Sequence, residues 1–257
     1  MPQYTAYIIC GTPRSGSTLL CEMLAATGVA GRPNSYFRHE SIAHFARQWG
    51  LAPPDGRDDA RFDQLYLSAM LRHGTAETGI FGLRLMSGSV AEAARRLDAI
   101  HGNRVDIAQR LGQTFGPTLY IHLSRLDKVA QAVSLVRAEQ SGLWHLAADG
   151  TVLEGTAMPQ PNTYDAHRLA AVFDELSGDD AAWEDFFLTH QIAPLRLTYE
   201  TLTADPQAAL AEVLTALGHD PAIVKTVTVP TAKMAGDTSR RWADRFRQER
   251  NTSKPPR

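Results

Sequence analysis

Two rhythms of apolar and polar residues share the chain. Short apolar runs, partly β-branched, occur as AYIIC (6–10), IFGLRLM (80–86), TLYIHLS (118–124) and IAPLRLTY (192–199). Their near-continuous hydrophobicity predicts strands buried on both faces. Between them apolar residues recur with the helical period, which predicts helices at about 17–27, 42–49, 59–73, 90–97, 104–115, 127–141, 165–189 and 206–217. Strands alternating with helices predict an α/β fold with a mainly parallel central sheet, right-handed crossovers and helices flanking it.

The stretch AADGTVLEGTAMPQPNTY, 147–164, is rich in Gly, Pro, Thr and Asn and breaks this alternation between two helices. It reads as a surface excursion suited to a lid or substrate-facing loop. With 257 residues, 44% of them hydrophobic, the chain suffices for one sizeable core. We expect a single domain over 1–250 and a flexible tail at 251–257, which is polar, proline-bearing and has nothing to bury.

A formal net charge of -2 gives no general basis for binding nucleic acid or an anionic membrane, so any anion site must be built locally from a few arginines. The opening MPQYTAYIIC lacks a basic n-region, and no segment approaches the roughly 20 apolar residues of a membrane span. No transmembrane segment and a cytoplasmic location are expected. Cys10 and Cys21 read as core residues rather than a bridge. The nine histidines make no recognisable ligand spacing with a cysteine, so no metal site is expected.

Chemistry concentrates in GTPRSGSTLLCEML, Gly11 to Leu24, directly after the first apolar run. A strand that runs into Gly11 and leaves through Gly16-Ser17-Thr18 into a helix converges backbone N–H groups on an anion. Pro13 stiffens the turn, Arg14 sits at its apex, and Ser15, Ser17 and Thr18 add hydroxyl donors. A triphosphatase loop would carry lysine where this chain has Ser17, reaching the β/γ-phosphates. It would also need a later strand ending in aspartate to hold Mg²⁺. TLYIHLS runs into Arg125, LRLTY into Glu200 and GLRLM into Ser87. A less charged transferred group fits this loop better, such as the sulfuryl of a phosphosulfate. In HLSRLDKVAQAVSLVRA, Arg125 leaves the strand, Asp127 can cap the next helix and Ser134 lies about two turns into it. Arg125 and Ser134 can therefore pinch a second phosphate.

These blocks resemble a sulfotransferase using 3′-phosphoadenosine-5′-phosphosulfate, most similar to the bacterial trehalose sulfotransferase type. The resemblance runs through TAYIICGTPRSGSTLLCEMLAATGVAGRP, GLRLM, HLSRLDKVAQAVSLVRA, LTYETLTADPQAALAEVLTALG and RRWADRFRQER. It implies a three-layer, P-loop-like fold and metal-independent, in-line transfer to a hydroxyl of a carbohydrate, glycoconjugate or glycolipid. Residue by residue, it implies that Arg14, Ser15, Gly16, Ser17 and Thr18 bind the 5′-phosphosulfate and that Arg125 and Ser134 bind the 3′-phosphate. Tyr199 matches a position near the adenine. Arg240, Arg241, Trp242 and Arg245 match a segment that folds over the nucleotide, and Arg84 stands where the family often has a cleft-facing lysine. A homodimer is an assembly open to such an enzyme.

One position departs from the pattern. The trehalose-type enzymes carry a glutamate, the proposed general base, soon after the GRP-like turn, and in GVAGRPNSYFRHESI that place is taken by Ser35. A serine alone cannot serve as the base. His39 and Glu40 are the nearest candidates, and Arg14 joins them as the charge-stabilising catalytic residue. Two alternatives stay open: a small-molecule kinase or nucleotide-binding module with a degenerate loop, and a catalytically silent nucleotide binder, to which the missing glutamate points.

Overall fold

The four apolar runs meet in one sheet. The computed structural model describes residues 3–54, 59–102, 105–146, 152–155, 160–228 and 236–252. In chain order the elements are β1 (Ala6–Gly11), α1 (Ser17–Ala26), α2 (His39–Gln48), α3 (Ala60–Thr75), β2 (Phe81–Met86), α4 (Val90–His101), α5 (Ile107–Phe115), β3 (Thr118–Ser124) and α6 (Lys128–Ser141). There follow β4 (Leu143–Leu146), β5 (Val152–Gly155), α7 (Ala166–Thr189), β6 (Leu195–Thr198), α8 (Tyr199–Ala204), α9 (Pro206–Ala216) and α10 (Asp237–Thr252).

Among the described residues the main sheet has the order β2-β1-β3-β6, and every pairing in it is parallel. Ile8 lies opposite Leu83 on one side and Tyr120 on the other. From β1 the chain crosses to one edge, and from β3 to the other. The loops after β1 and β3 therefore diverge at the carboxyl ends of adjacent central strands, where a crevice opens in sheets of this kind.

Period-two alternation sorts the strand residues between two cores. Ala6, Ile8, Cys10, Phe81, Leu83 and Leu85 pack with α2, α3, α4, α5 and α7. Tyr7, Ile9, Leu119, Ile121, Leu123 and Leu197 pack with α1, α8 and α9 on the opposite face. The result is the expected three-layer arrangement. Cys10 and Cys21 belong to different faces and are both free and buried. A third apolar cluster joins one side of α6 to Leu169, Val172 and Leu176 of α7 and to Trp242 and Phe246 of α10.

Several boundaries differ from the sequence expectation. Helix α2 starts at His39, ahead of the apolar pattern that begins at Ile42. The last strand of the sheet stops at Thr198, because the Thr198 side chain caps the next helix in a reciprocal box with Thr201. Tyr199 therefore opens α8 instead of closing a strand. The expected excursion at 147–164 contains β5, paired antiparallel with β4; residues 147–151 and 156–159 lie outside the described residues. At the end of the chain α10 continues through Thr252, and residues 253–257 of the expected tail are likewise outside.

Candidate active site

The loop Thr12–Gly16 turns from β1 beneath the start of α1. Gly16 enters the helix at φ 87°, and a Cβ there would lie 3.1 Å from Tyr199 Cδ2, so both conformation and space favour glycine. Arg14 also adopts a left-handed backbone, φ 65°, which costs about 1–2 kcal/mol for a residue with a side chain. Its guanidinium is held between two later elements: Nε donates to Ser134 Oγ at 3.0 Å, and Nη1 donates to the Trp144 carbonyl at 2.6 Å.

Buried polar residues support the loop from below. Gln131 is fully buried on α6, and its Nε2 donates to Thr12 Oγ1 at 2.8 Å and to the Pro13 carbonyl at 2.7 Å. Lys128 donates to Gln131 Oε1 at 3.1 Å and pairs with Asp180. Trp183 Nε1 donates to the Gly11 carbonyl at 3.0 Å, tying α7 to the last residue of β1. These contacts fix the loop before any ligand arrives, as preorganised anion stabilisation requires.

Arg125 lies beside the loop, buried, with its Nη1 donating to the Arg14 carbonyl at 3.2 Å. Its guanidinium sits over the Tyr199 ring, 4.1 Å from the centroid. Burial pulls its pKa down, partly offset by Tyr199, Glu200 and Asp127. Arg125 Nε and Ser15 Oγ are buried without a hydrogen-bond partner, and no side chain caps α1. Unpaired buried donors and an uncapped helix start suit a bound polyanion.

A cavity of about 970 Å³ opens above these groups. Among the described residues seven arginines line it (Arg14, Arg38, Arg84, Arg125, Arg137, Arg240 and Arg247) against four carboxylates (Asp127, Glu139, Glu175 and Asp244), an excess of positive charge that favours an anion. Arg14, Gly16, Ser17, Thr18, Arg125, Ser134, Tyr199 and Arg240 line this one cavity, whereas Ser15 is fully buried in the loop and is not among the lining residues. Arg240 pairs with Asp237. Arg241 is exposed, does not line the cavity, and donates to Thr238 Oγ1 at 3.3 Å. Trp242 packs inward against α6 and α7, and Arg245 pairs with Glu249.

Arg84 anchors the opposite wall. Its Nε donates to Ser35 Oγ at 2.7 Å and its Nη1 donates to Thr18 Oγ1 at 2.7 Å. Ser35 is buried and held by this bond. His39 and Glu40 are exposed in the first turn of α2; Glu40 pairs with Arg38 at 3.3 Å, and His39 Nδ1 lies 4.0 Å from Glu92. Neither lines the donor cavity.

A second cavity, of about 410 Å³, shares the lining residues Thr18 and Arg84 with the first. Glu22, Arg32, Asn34, Gln48, Trp49 and His73 line it, with the Trp49 and His73 rings stacked at 5.2 Å and 4°. His39 and Glu40 are absent from this wall as well.

Some of these residues could have been read from the chain. Gln131 and Arg137 stand three residues to either side of Ser134, and that spacing puts all three on one helix stripe. Glu22 is four residues after Thr18 and so faces the same way. Asp180 and Trp183 reach the loop from α7, more than 160 positions away, and only the tertiary fold reveals them.

Residues 6–249 match the Stf0 sulphotransferase family. The trehalose 2-sulfotransferase of Mycobacterium tuberculosis is 28% identical over 263 residues, covering 95% of this chain and 94% of that protein. The trehalose 2-sulfotransferase of Mycolicibacterium smegmatis is 29% identical over 263 residues, covering 95% of each. A crystal structure of a sulfotransferase from Alicyclobacillus acidocaldarius overlaps more loosely, at a TM-score of 0.46 and 11% identity, over 95% of this chain and 91% of that one. With a match over nearly its whole length, this chain belongs to the Stf0 sulphotransferase family.

Proposed function

We propose that this sulfotransferase takes its sulfuryl group from 3′-phosphoadenosine-5′-phosphosulfate and delivers it to a hydroxyl of a carbohydrate or glycolipid. The observation that carries this reading is the direct bond between Arg14 and Ser134. It sets two anion-binding positions side by side, one at the start of α1 and one on α6, as a nucleotide bearing two separate phosphate groups requires. The donor, once bound, supplies an activated sulfur–oxygen bond. Ser15, Gly16, Ser17 and Thr18 hold its 5′-phosphosulfate through N–H and hydroxyl groups, and Arg14 stabilises the charge that builds as transfer proceeds. Arg125 and Ser134 hold the 3′-phosphate, with Arg240 closing the cavity from α10 and Tyr199 bracing Arg125.

The second cavity seats the acceptor, with the Trp49–His73 stack as an apolar platform and Asn34 and Gln48 as hydrogen-bonding groups beside it. The two relatives named for trehalose support a sugar. We read residues 1–250 as one sulfotransferase domain and place its work in the cytoplasm, in keeping with two free, buried cysteines. Among the described residues, no helix is long and apolar enough to cross a membrane.

Thermal unfolding with added nucleotides tests the reading. Adenosine 3′,5′-bisphosphate at about 100 times its Kd should stabilise the protein by about 2.7 kcal/mol without Mg²⁺. Stabilisation by ATP with Mg²⁺ and none by the bisphosphate would favour a kinase instead.

A further inference from the structure

We propose that Glu22 on α1 is the general base that removes the proton from the acceptor hydroxyl. The inference rests on the sulfotransferase reading and deepens it. The base has to reach the acceptor and lie beside the transferred group, which restricts it to the junction of the two cavities. That junction is formed by Thr18 and Arg84. Glu22 stands one helical turn beyond Thr18 on the same face of α1 and lines the acceptor side. Asp and Glu residues are otherwise missing from the described lining of the second cavity.

The state of the carboxylate fits the task. Glu22 is part-buried where it lines the cavity, and its buried Oε2 has no hydrogen-bond partner, so that oxygen is not committed to a protein donor. The charged groups on the same wall are Arg84 from β2, Arg32 from the loop before α2 and His73 from α3, with the Cys21 thiol next to Glu22 on α1. Burial raises the carboxyl pKa, and Arg84 opposes that rise. Raising the pKa toward the working pH strengthens the base, while Arg84 keeps a usable fraction ionised. Ser35 cannot serve, being neutral and already accepting from Arg84.

The acceptor oxygen forms a new bond to sulfur as its proton passes to a Glu22 carboxylate oxygen. The bond from sulfur to the bridging oxygen of the 5′-phosphate breaks, and its electron pair leaves on the phosphate of adenosine 3′,5′-bisphosphate. No oxidant or metal enters the balance.

The test compares wild-type and Glu22→Gln enzymes with 3′-phosphoadenosine-5′-phosphosulfate and the fastest acceptor among trehalose, glucose and water. The variant should lose about 10²–10⁴-fold in kcat and the acidic limb of the kcat/KM profile, with bisphosphate affinity unchanged. Glu22→Asp should recover part of the rate. Retention of the acidic limb in Glu22→Gln overturns the assignment, as does a rate loss matched by an equal loss of bisphosphate binding. If Glu40→Gln removes the limb and Glu22→Gln keeps it, the base lies in the 39–40 pair. A wild-type protein that fails to bind the bisphosphate at all counts against the donor reading itself, and this inference falls with it.

Discussion

Arg14 and Ser134 are 120 positions apart in sequence and joined by a 3.0 Å hydrogen bond from Nε to Oγ. The bond couples the loop after β1 to the second turn of α6. Removing the hydroxyl in Ser134→Ala takes away a partner of a charged donor and a ligand proposed for the 3′-phosphate. A hydrogen bond to a charged group contributes about 1.5–3 kcal/mol. Affinity for adenosine 3′,5′-bisphosphate should therefore fall about tenfold to a hundredfold, and affinity for 5′-AMP much less. Calorimetric titration of both nucleotides checks the difference; equal losses would place Ser134 outside the 3′-phosphate site.

The left-handed backbone of Arg14 separates its chemical role from its structural one. Arg14→Ala and Arg14→Gly both remove the guanidinium, and each should lower kcat by about 10²–10³ if that group stabilises developing charge. Only glycine relieves the backbone cost, so Arg14→Gly should be more stable than Arg14→Ala by about 1 kcal/mol. Denaturant titrations of the two variants measure this, and equal midpoints would show that the loop relaxes.

Arg125 depends on the ring beneath it. The guanidinium lies over Tyr199 in a buried setting, where such a contact contributes about 2 kcal/mol. Tyr199→Phe should keep bisphosphate affinity close to wild type, whereas Tyr199→Leu should weaken it about tenfold or more. Arg125→Lys should not restore function to an Arg125→Ala enzyme, because the ammonium cannot match a planar group both stacked and hydrogen-bonded. Full function in the lysine variant would show that charge alone suffices.

A pH effect on stability is expected from His122 on β3. The ring is buried, Nδ1 lies 3.2 Å from Glu184, and Nε2 has no partner. Burial lowers its pKa below the ordinary histidine value of about 6.5, although Glu184 and Asp180 pull the other way. The unfolded chain binds this proton more readily than the folded one. Stability is therefore complete above pH 6.5 and declines as pH falls toward the folded pKa, with a slope of at most ~1.4 kcal/mol per pH unit for one proton. Unfolding midpoints of the wild type and His122→Asn between pH 5 and 7.5 should show a flatter slope in the variant; identical slopes would remove His122 as the source.

Apolar periodicity makes the sheet and most of its helices legible because each strand is buried on both faces and each helix on one. The anion loop is legible for a different reason: glycines and hydroxyls bracketing a strand–helix junction have few uses other than gripping an anion. Tyr199 shows where local pattern fails. Its hydrophobic neighbours continue a strand-like run, yet the Thr198–Thr201 capping box starts a helix at that point. The base is harder still. Proximity along the chain points to His39 and Glu40, whereas Glu22 comes to line the second cavity with Thr18 and Arg84 through one turn of α1 and the pairing of β1 with β2. Gln131, Asp180 and Trp183 support the loop through contacts that no local window contains.

All of the described residues lining the second cavity lie between Thr18 and Arg84, while the far wall of the first is drawn from positions beyond Leu123. Chain order thus separates the lining of the second cavity from the far wall of the first. A chimera that replaces roughly residues 18–84 with the matching stretch of a relative would carry over the whole described lining of the second cavity, the one proposed to seat the acceptor. The rear wall of arginines would be left as it is. Changes to the proposed acceptor cavity can therefore be confined to the first third of the polypeptide.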